Sequence, residues 1–269
     1  MRVDLVPDDL WERVAPLLPP VPERRRRCPG RLRVPDRTAL AGILYVLRTG
    51  VAWRDVPAET VVCSGVTAWR RLRDWTEAGV WPRLHAALLS EMRRAGLLDL
   101  DDSAVDGSHI RALKRGDHVG PSPVDRARPG SKHHLIVDRH GTPLAVTVTG
   151  GNRHDVTQLL PLLDAVPSIR GLRGRPRRKP RRLYADRGYD FDKYRRLLRK
   201  RGIKPLIARR GVAHGSGLGK VRWVVERAFA WLHQFKRLRI RYERRADLHQ
   251  GLLELACSLI CLRRLRTSF

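Results

Sequence analysis

Apolar positions recur at helical spacing through the first third of the chain and at strand spacing after about residue 100. Asp8 to Leu18 reads as a short amphipathic helix stopped by Pro19-Pro20, and Asp36 to Thr49 as a second, with Leu40, Ile43, Leu44 and Leu47 on one face. Ser64 is placed to cap a helix over Gly65–Thr76. Its Trp69, Leu72 and Trp75 share one side, and Thr67, Arg70, Arg71 and Asp74 the other. From Ser103 the period changes to two. Strands are predicted over Ser103–Ile110, Lys132–Val137, Leu144–Thr149, Leu183–Asp186 and Lys204–Ala208. Between and after them come helices over Asp155–Val166, Phe191–Arg201, Lys220–Leu238 and Asp247–Leu265. The polar, Gly- and Pro-containing stretch Arg111–Gly130 reads as a mobile loop.

This order predicts an all-α segment over residues 1–95, then a mixed α/β domain over 96–269 built on a five-stranded mixed sheet with helices on its faces. It is the element order of a ribonuclease H-like fold. The N-terminal pattern suits a helix-turn-helix-like unit whose recognition helix begins at Gly65 and offers Ser64, Thr67, Arg70, Arg71 and Arg73 to DNA. The same pattern also describes an ordinary surface helix, and periodicity does not choose between them.

Charge narrows the choice of partner. Lys and Arg number 55 against 27 Asp and Glu, a formal net charge of +28. Such a chain repels itself unless polyanion lies beside it, and double-stranded DNA rewards each neutralised phosphate with released counterions. A loop over 168–182 concentrates the charge: Arg170 to Arg182 holds eight Lys or Arg in thirteen residues. It reads as a flexible phosphate-binding segment, with Arg175, Arg177, Arg178 and Lys179 as contacts. Cys28, Cys63, Cys257 and Cys261 form no metal-ligand spacing, so a cytoplasmic, nucleoid-associated chain with reduced thiols is expected. The longest apolar stretch, Gly251–Leu262, is too short to span a bilayer, so no membrane partner is expected.

Three carboxylates carry the chemistry. Asp106 sits mid-strand, where aspartate is disfavoured, and Asp186 ends a strand, where it also suits a turn cap. Glu226 lies on a predicted helix with an apolar stripe of Val221, Val224, Ala228, Trp231, Leu232 and Phe235. Arg222, Glu226, His233 and Arg237 form a separate polar stripe. Phosphodiester chemistry builds charge on the attacking and leaving oxygens, and hard divalent cations held by a few carboxylates stabilise both.

At these residues the chain resembles the DDE transposases of bacterial insertion sequences, in the "insertion sequence five" group. The matching segments run from Cys63-Ser64-Gly65 to Asp74-Trp75, then Val105-Asp106-Gly107-Ser108 and Pro129-Gly130-Ser131-Lys132-His133-His134. They continue with Gly151-Asn152-Arg153-His154-Asp155, Ala185-Asp186-Arg187-Gly188-Tyr189-Asp190 and Arg222-Trp223-Val224-Val225-Glu226-Arg227. The resemblance implies that Asp106, Asp186 and Glu226 are catalytic and bind Mg2+ or Mn2+. It further implies DNA contacts at Lys132 and Arg222, binding of terminal inverted repeats by the first domain, and a homo-oligomer, at least a dimer, on DNA. The family pattern has a tyrosine where this chain has Gly219 and a lysine where it has His233; Lys236 and Arg237 stand nearby as substitutes. A purely hydrolytic nuclease and a non-enzymatic repressor remain as alternatives: the first cuts without joining, the second binds without cutting.

Overall fold

The computed structural model describes residues 5–21, 27, 32–212 and 219–267; most of the basic run Arg24–Arg27 and Pro29-Gly30 lie outside the described residues. Five helices come first: α1 (Asp8–Val14), α2 (Asp36–Thr49), α3 (Ala58–Val61), α4 (Gly65–Glu77) and α5 (Val80–Arg94). The Ser64 hydroxyl caps α4 by accepting from the Thr67 N–H at 3.2 Å. Gly65 is required at that start, because a Cβ there would fall 1.5 Å from the Trp53 carbonyl oxygen. Leu72 and Trp75 are fully buried and Trp69 packs against the same core, so the aromatic face of α4 is its anchor.

The sheet combines β1 (Asp102–Ala112), β2 (Gly120–Pro121), β3 (Pro129–Asp138), β4 (Pro143–Gly150), β5 (Arg182–Ala185), β6 (Lys204–Ile207) and β7 (Ile240–Arg241). Strand order is β2-β3-β1-β5-β6, with β4 paired to β3 and β7 to β1. The β1–β3 and β3–β4 pairs are antiparallel, whereas β5 and β6 run parallel to β1. The five expected strands are all present, and two strands of two residues bring the sheet to seven. Elements that short have no periodicity to detect.

The remaining helices are α6 (Leu159–Asp164), α7 (Asp192–Lys200), α8 (Gly219–His233) and α9 (Ala246–Arg266). Buried residues surround α9, from Leu248 to Leu265, as expected of a helix apolar on all sides. It packs against α5 and β4. A Cβ on Gly251 would stand 2.7 Å from Thr76 Oγ1 and 2.9 Å from the Trp81 ring, so α9 touches the N-terminal helices at backbone distance. A continuous hydrophobic core runs from Val6 to Leu265 through helices and sheet alike. Among the described residues no helix is long and apolar enough to cross a membrane.

Three expectations need correction. The stretch 111–130 is tied down rather than mobile: β2 pairs with β3, and buried Arg241 donates to the His118 carbonyl at 2.9 Å and to Ser131 Oγ at 2.9 Å. The predicted helix Lys220–Leu238 ends at His233, and Lys236–Leu238 forms a separate 3-10 turn. Arg237 therefore leaves the polar stripe and turns inward to Glu243, giving hydrogen bonds of 2.9 and 2.7 Å. Finally, the basic segment 168–182 is anchored: Ile169 is fully buried and bridges Arg177, whose guanidinium donates to Asp101 Oδ1 at 2.9 Å.

Candidate active site

Asp106 and Asp186 meet because of strand register. In the parallel β1–β5 pair Asp102 faces Arg182, Ser103 faces Leu183 and Ala104 faces Tyr184. The same register carried two residues further points Asp106 toward Asp186, just past the end of β5, and the charge of Asp186 acts on Asp106. Asp186 also caps the turn it begins, since its Oδ1 accepts from the Gly188 N–H at 2.9 Å. Capping and a place in the acidic site are compatible: the capped turn holds the carboxylate still.

Glu226 reaches the site from α8, which packs on β1 and β3 through buried Val224, Val225, Ala228 and Leu232. Arg222, one turn earlier, connects the acids. Its Nη1 donates to Asp106 Oδ2 at 3.0 Å and its Nη2 to Glu226 Oε1 at 2.9 Å. Asp106 Oδ1 accepts from its neighbour's Gly107 N–H at 2.8 Å. Burial pushes the Asp106 carboxyl up to about 6, and the charges of Asp186 and Asp155 add to it against the pull of Gly107 N–H and Arg222. Tyr189 is buried beside the same three aspartates, and burial followed by their charge raises its hydroxyl further. The Glu226 side chain is 58% exposed, open to whatever enters.

The donor set fits a divalent cation. All three acids offer hard oxygen, the donor that magnesium and manganese prefer. A positive group, the Arg222 guanidinium, already sits between two of them. Among the described residues no three ligating side chains yet close around one point, and Arg222 fills the gap.

The other expected contacts separate into free and engaged. Arg70 on α4 is exposed and Thr67 half-buried, while Ser64 serves as the cap. Arg71 pairs with Asp36 at 3.0 Å and Arg73 with Asp74 at 2.8 Å, so both are held by the fold. Lys132 is buried, and its Nζ donates to Asp155 Oδ1 at 3.0 Å. Arg175 and Arg178 are exposed, whereas Lys179 hydrogen-bonds the Arg201 carbonyl. That basic segment enters β5 at the end opposite Asp186, about 13 Å away along four residues. His233 is half-buried at the end of α8, Lys236 is exposed beyond it, and Arg237 is buried. Sequence reasoning quoted Asp155 within a motif but gave it no role. The signal was there: an acid just past a strand, following three polar residues at the same edge of the sheet.

Two family models divide the chain. "Transposase DDE domain" matches residues 98–261, and "Putative transposase of IS4/5 family" matches residues 6–85. The chain belongs to the DDE transposase family, whose members cleave DNA, transfer its strands and use divalent metal ions. It is 66% identical over 148 residues to the Burkholderia cepacia protein described as "Putative transposase for insertion sequence element IS402", covering 55% of this chain and 70% of that one. It is 53% identical over 123 residues to the 16.2 kDa protein of insertion element IS402 from the same organism, covering 46% of this chain and 84% of the other. Among solved structures the Mos1 strand transfer complex aligns over 91% of this chain and 81% of that one, at 12% identity and a TM-score of 0.31, too weak a likeness to build on.

Proposed function

We propose that Asp106, Asp186 and Glu226 hold the divalent metal, Mg2+ or Mn2+, with which this transposase cuts the ends of an insertion sequence and joins them to target DNA. The observation that carries this reading is Arg222 spanning Asp106 and Glu226 while strand register seats Asp186 alongside. When bound, such cations stabilise the attacking and leaving oxygens of an in-line displacement. The chain's own residues then have separate duties. The two aspartates, on neighbouring strands, give a rigid floor; Glu226 closes the site from α8. Arg222 exchanges carboxylates for a DNA phosphate, which its planar fork binds with paired hydrogen bonds. A ribonuclease H-like arrangement fits the sheet, in which β4-β3-β1-β5-β6 carries the acids on β1 and after β5.

The N-terminal helices are read as the unit that recognises terminal inverted repeats, with α4 as the helix-turn-helix reading helix and exposed Arg70 at its surface. Two ends must be joined, so the working form is at least a dimer on DNA, in the cytoplasm at the nucleoid. The test is strand transfer by the purified chain with cognate ends and Mg2+, on a gel resolving nicked from joined products. Wild type joins, and Asp186→Asn and Glu226→Gln each lose both products; variants that still cut and join at the wild-type rate would end this reading. Products that are cut but never joined would mark a hydrolytic nuclease.

The DNA contacts have their own expected outcomes. Arg70→Ala weakens binding to cognate ends more than to random duplex, because base-edge contacts carry sequence and phosphate contacts do not. Replacing Arg175 and Arg178 together lowers the slope of log affinity against log salt by roughly 2 for every sequence. Equal losses in the first case, or an unchanged slope in the second, would remove those residues from the interface.

A further inference from the structure

Two segments that carry the family resemblance have no part in the triad: Lys132-His133-His134 on β3, and Asn152-Arg153-His154-Asp155 just past β4. The fold brings them together beside Asp106. Lys132, buried, donates to the Arg153 carbonyl at 2.8 Å and to Asp155 Oδ1 at 3.0 Å. That carboxylate lies over Gly107, the residue after Asp106. A Cβ on Gly107 would stand 2.8 Å from Asp155 Oδ1, so glycine is what lets the acid approach this closely.

His134 faces the same oxygen. Its Nε2 lies 2.8 Å from Thr149 Oγ1, and that hydroxyl donates onward to the Gly150 carbonyl at 3.3 Å. Nδ1 is buried, has no hydrogen-bond partner, and stands 3.7 Å from Asp155 Oδ1. Lys132 is the fixed cation paired with Asp155. The charge of Asp155 reaches Asp106. Four carboxylates, Asp106, Asp186, Glu226 and Asp155, meet two fixed cations, Arg222 and Lys132. The surplus equals the charge of one divalent ion.

We propose that Asp155 is a positioning residue of the active site: Lys132 holds its carboxylate over Gly107, where it seats Asp106 and supplies negative charge that draws the divalent cation in. The proposal rests on Asp106 being a metal ligand. Its test is Mn2+ binding to the purified, DNA-free chain by titration calorimetry. Asp155→Asn keeps the shape and an acceptor for Lys132, and Mn2+ affinity is expected to fall roughly tenfold. Lys132→Gln loosens the same carboxylate but also removes a positive charge, so its affinity is expected to fall clearly less than that of Asp155→Asn. A role confined to holding the fold together would make both variants bind more weakly to a similar degree; that result overturns the proposal, as does an unchanged Asp155→Asn.

Should Lys132→Gln fail to fold, Gly107→Ala displaces the carboxylate without altering any charge. It is expected to weaken Mn2+ binding, with Asp155→Asn adding little on top; fully additive losses would mean the two residues act separately and the proposal is wrong. Asp106→Asn serves as the separate check and is expected to abolish binding. Wild-type affinity in that variant would overturn the triad, and this proposal with it.

Discussion

Asp106→Asn is expected to lower DNA cleavage roughly 1,000-fold, since a metal contributes several kcal/mol at the transition state and each ~1.4 kcal/mol is tenfold. The same variant is expected to be more stable than the wild type. Burial, with neighbouring carboxylates, pushes Asp106 up to about 6 in the fold against an ordinary 3.8. A raised carboxyl favours folding fully below its unfolded value, and that contribution is lost as pH rises through about 6. At pH 7 the wild-type charge therefore costs about 3 kcal/mol, which asparagine avoids. Melting at pH 7 should show a Tm several degrees higher in Asp106→Asn, with the difference closing below pH 4 as the wild-type acid becomes protonated. Equal Tm values at pH 7 would show that the site stores no such strain.

The second large effect belongs to a residue far from the chemistry. Glu243 is buried and would be raised by burial, but the His249 hydrogen bond and the Arg237 charge outweigh it and hold the acid at about 2. Arg237 gives Glu243 Oε1 two hydrogen bonds and donates a third to the Val51 carbonyl at 3.0 Å, joining α2's end to the strand region. Removing Arg237 leaves a buried carboxylate with its His249 hydrogen bond but without its salt-bridged cation, so Arg237→Met should cost ~3–5 kcal/mol, or roughly 10 °C in Tm. A loss under about 2 °C would show the pair to be dispensable. The pH sign is opposite to that of Asp106. A depressed acid contributes stability above its unfolded value of 4.5, and that stability disappears as pH falls toward about 2. Urea midpoints should drop across that window in both proteins, and less steeply in Glu243→Gln, because Asp9, Asp101, Asp190 and Asp247 are also held low by partners.

Asp106 and Glu226 stand out in the sequence by breaking a local pattern, whereas Asp186 suits a turn cap and stands out through the family motif alone. The one is an aspartate inside a strand pattern, the other a glutamate beside an apolar helical stripe. The succession of strands and helices, with alternation over Leu144–Thr149, points to the mixed sheet. The fates of the basic residues were not legible. Lys132 and Arg237 were expected at DNA and Arg241 carried no reading, yet each is buried against partners more than twenty residues away in the chain, such as Arg153, Val51 and His118. Periodicity reports which face is apolar and says nothing of long-range ion pairs. The end of α8 was misplaced for a related reason. Phe235 and Leu238 continue the apolar rhythm past His233, but they are buried from a turn, where Arg237 is drawn inward by Glu243.

The contact at Gly251 has a mechanical meaning. With α9 lying against Thr76 and the Trp81 ring at backbone distance while it packs on β4, the helices and the sheet share one core at this point. A bulky side chain at this point would pry the halves apart before it disturbed either one. On the proposed function, a duplex resting on the first helices would reach the carboxylates at an offset set by this shared core, like a ruler with its zero mark welded to the blade.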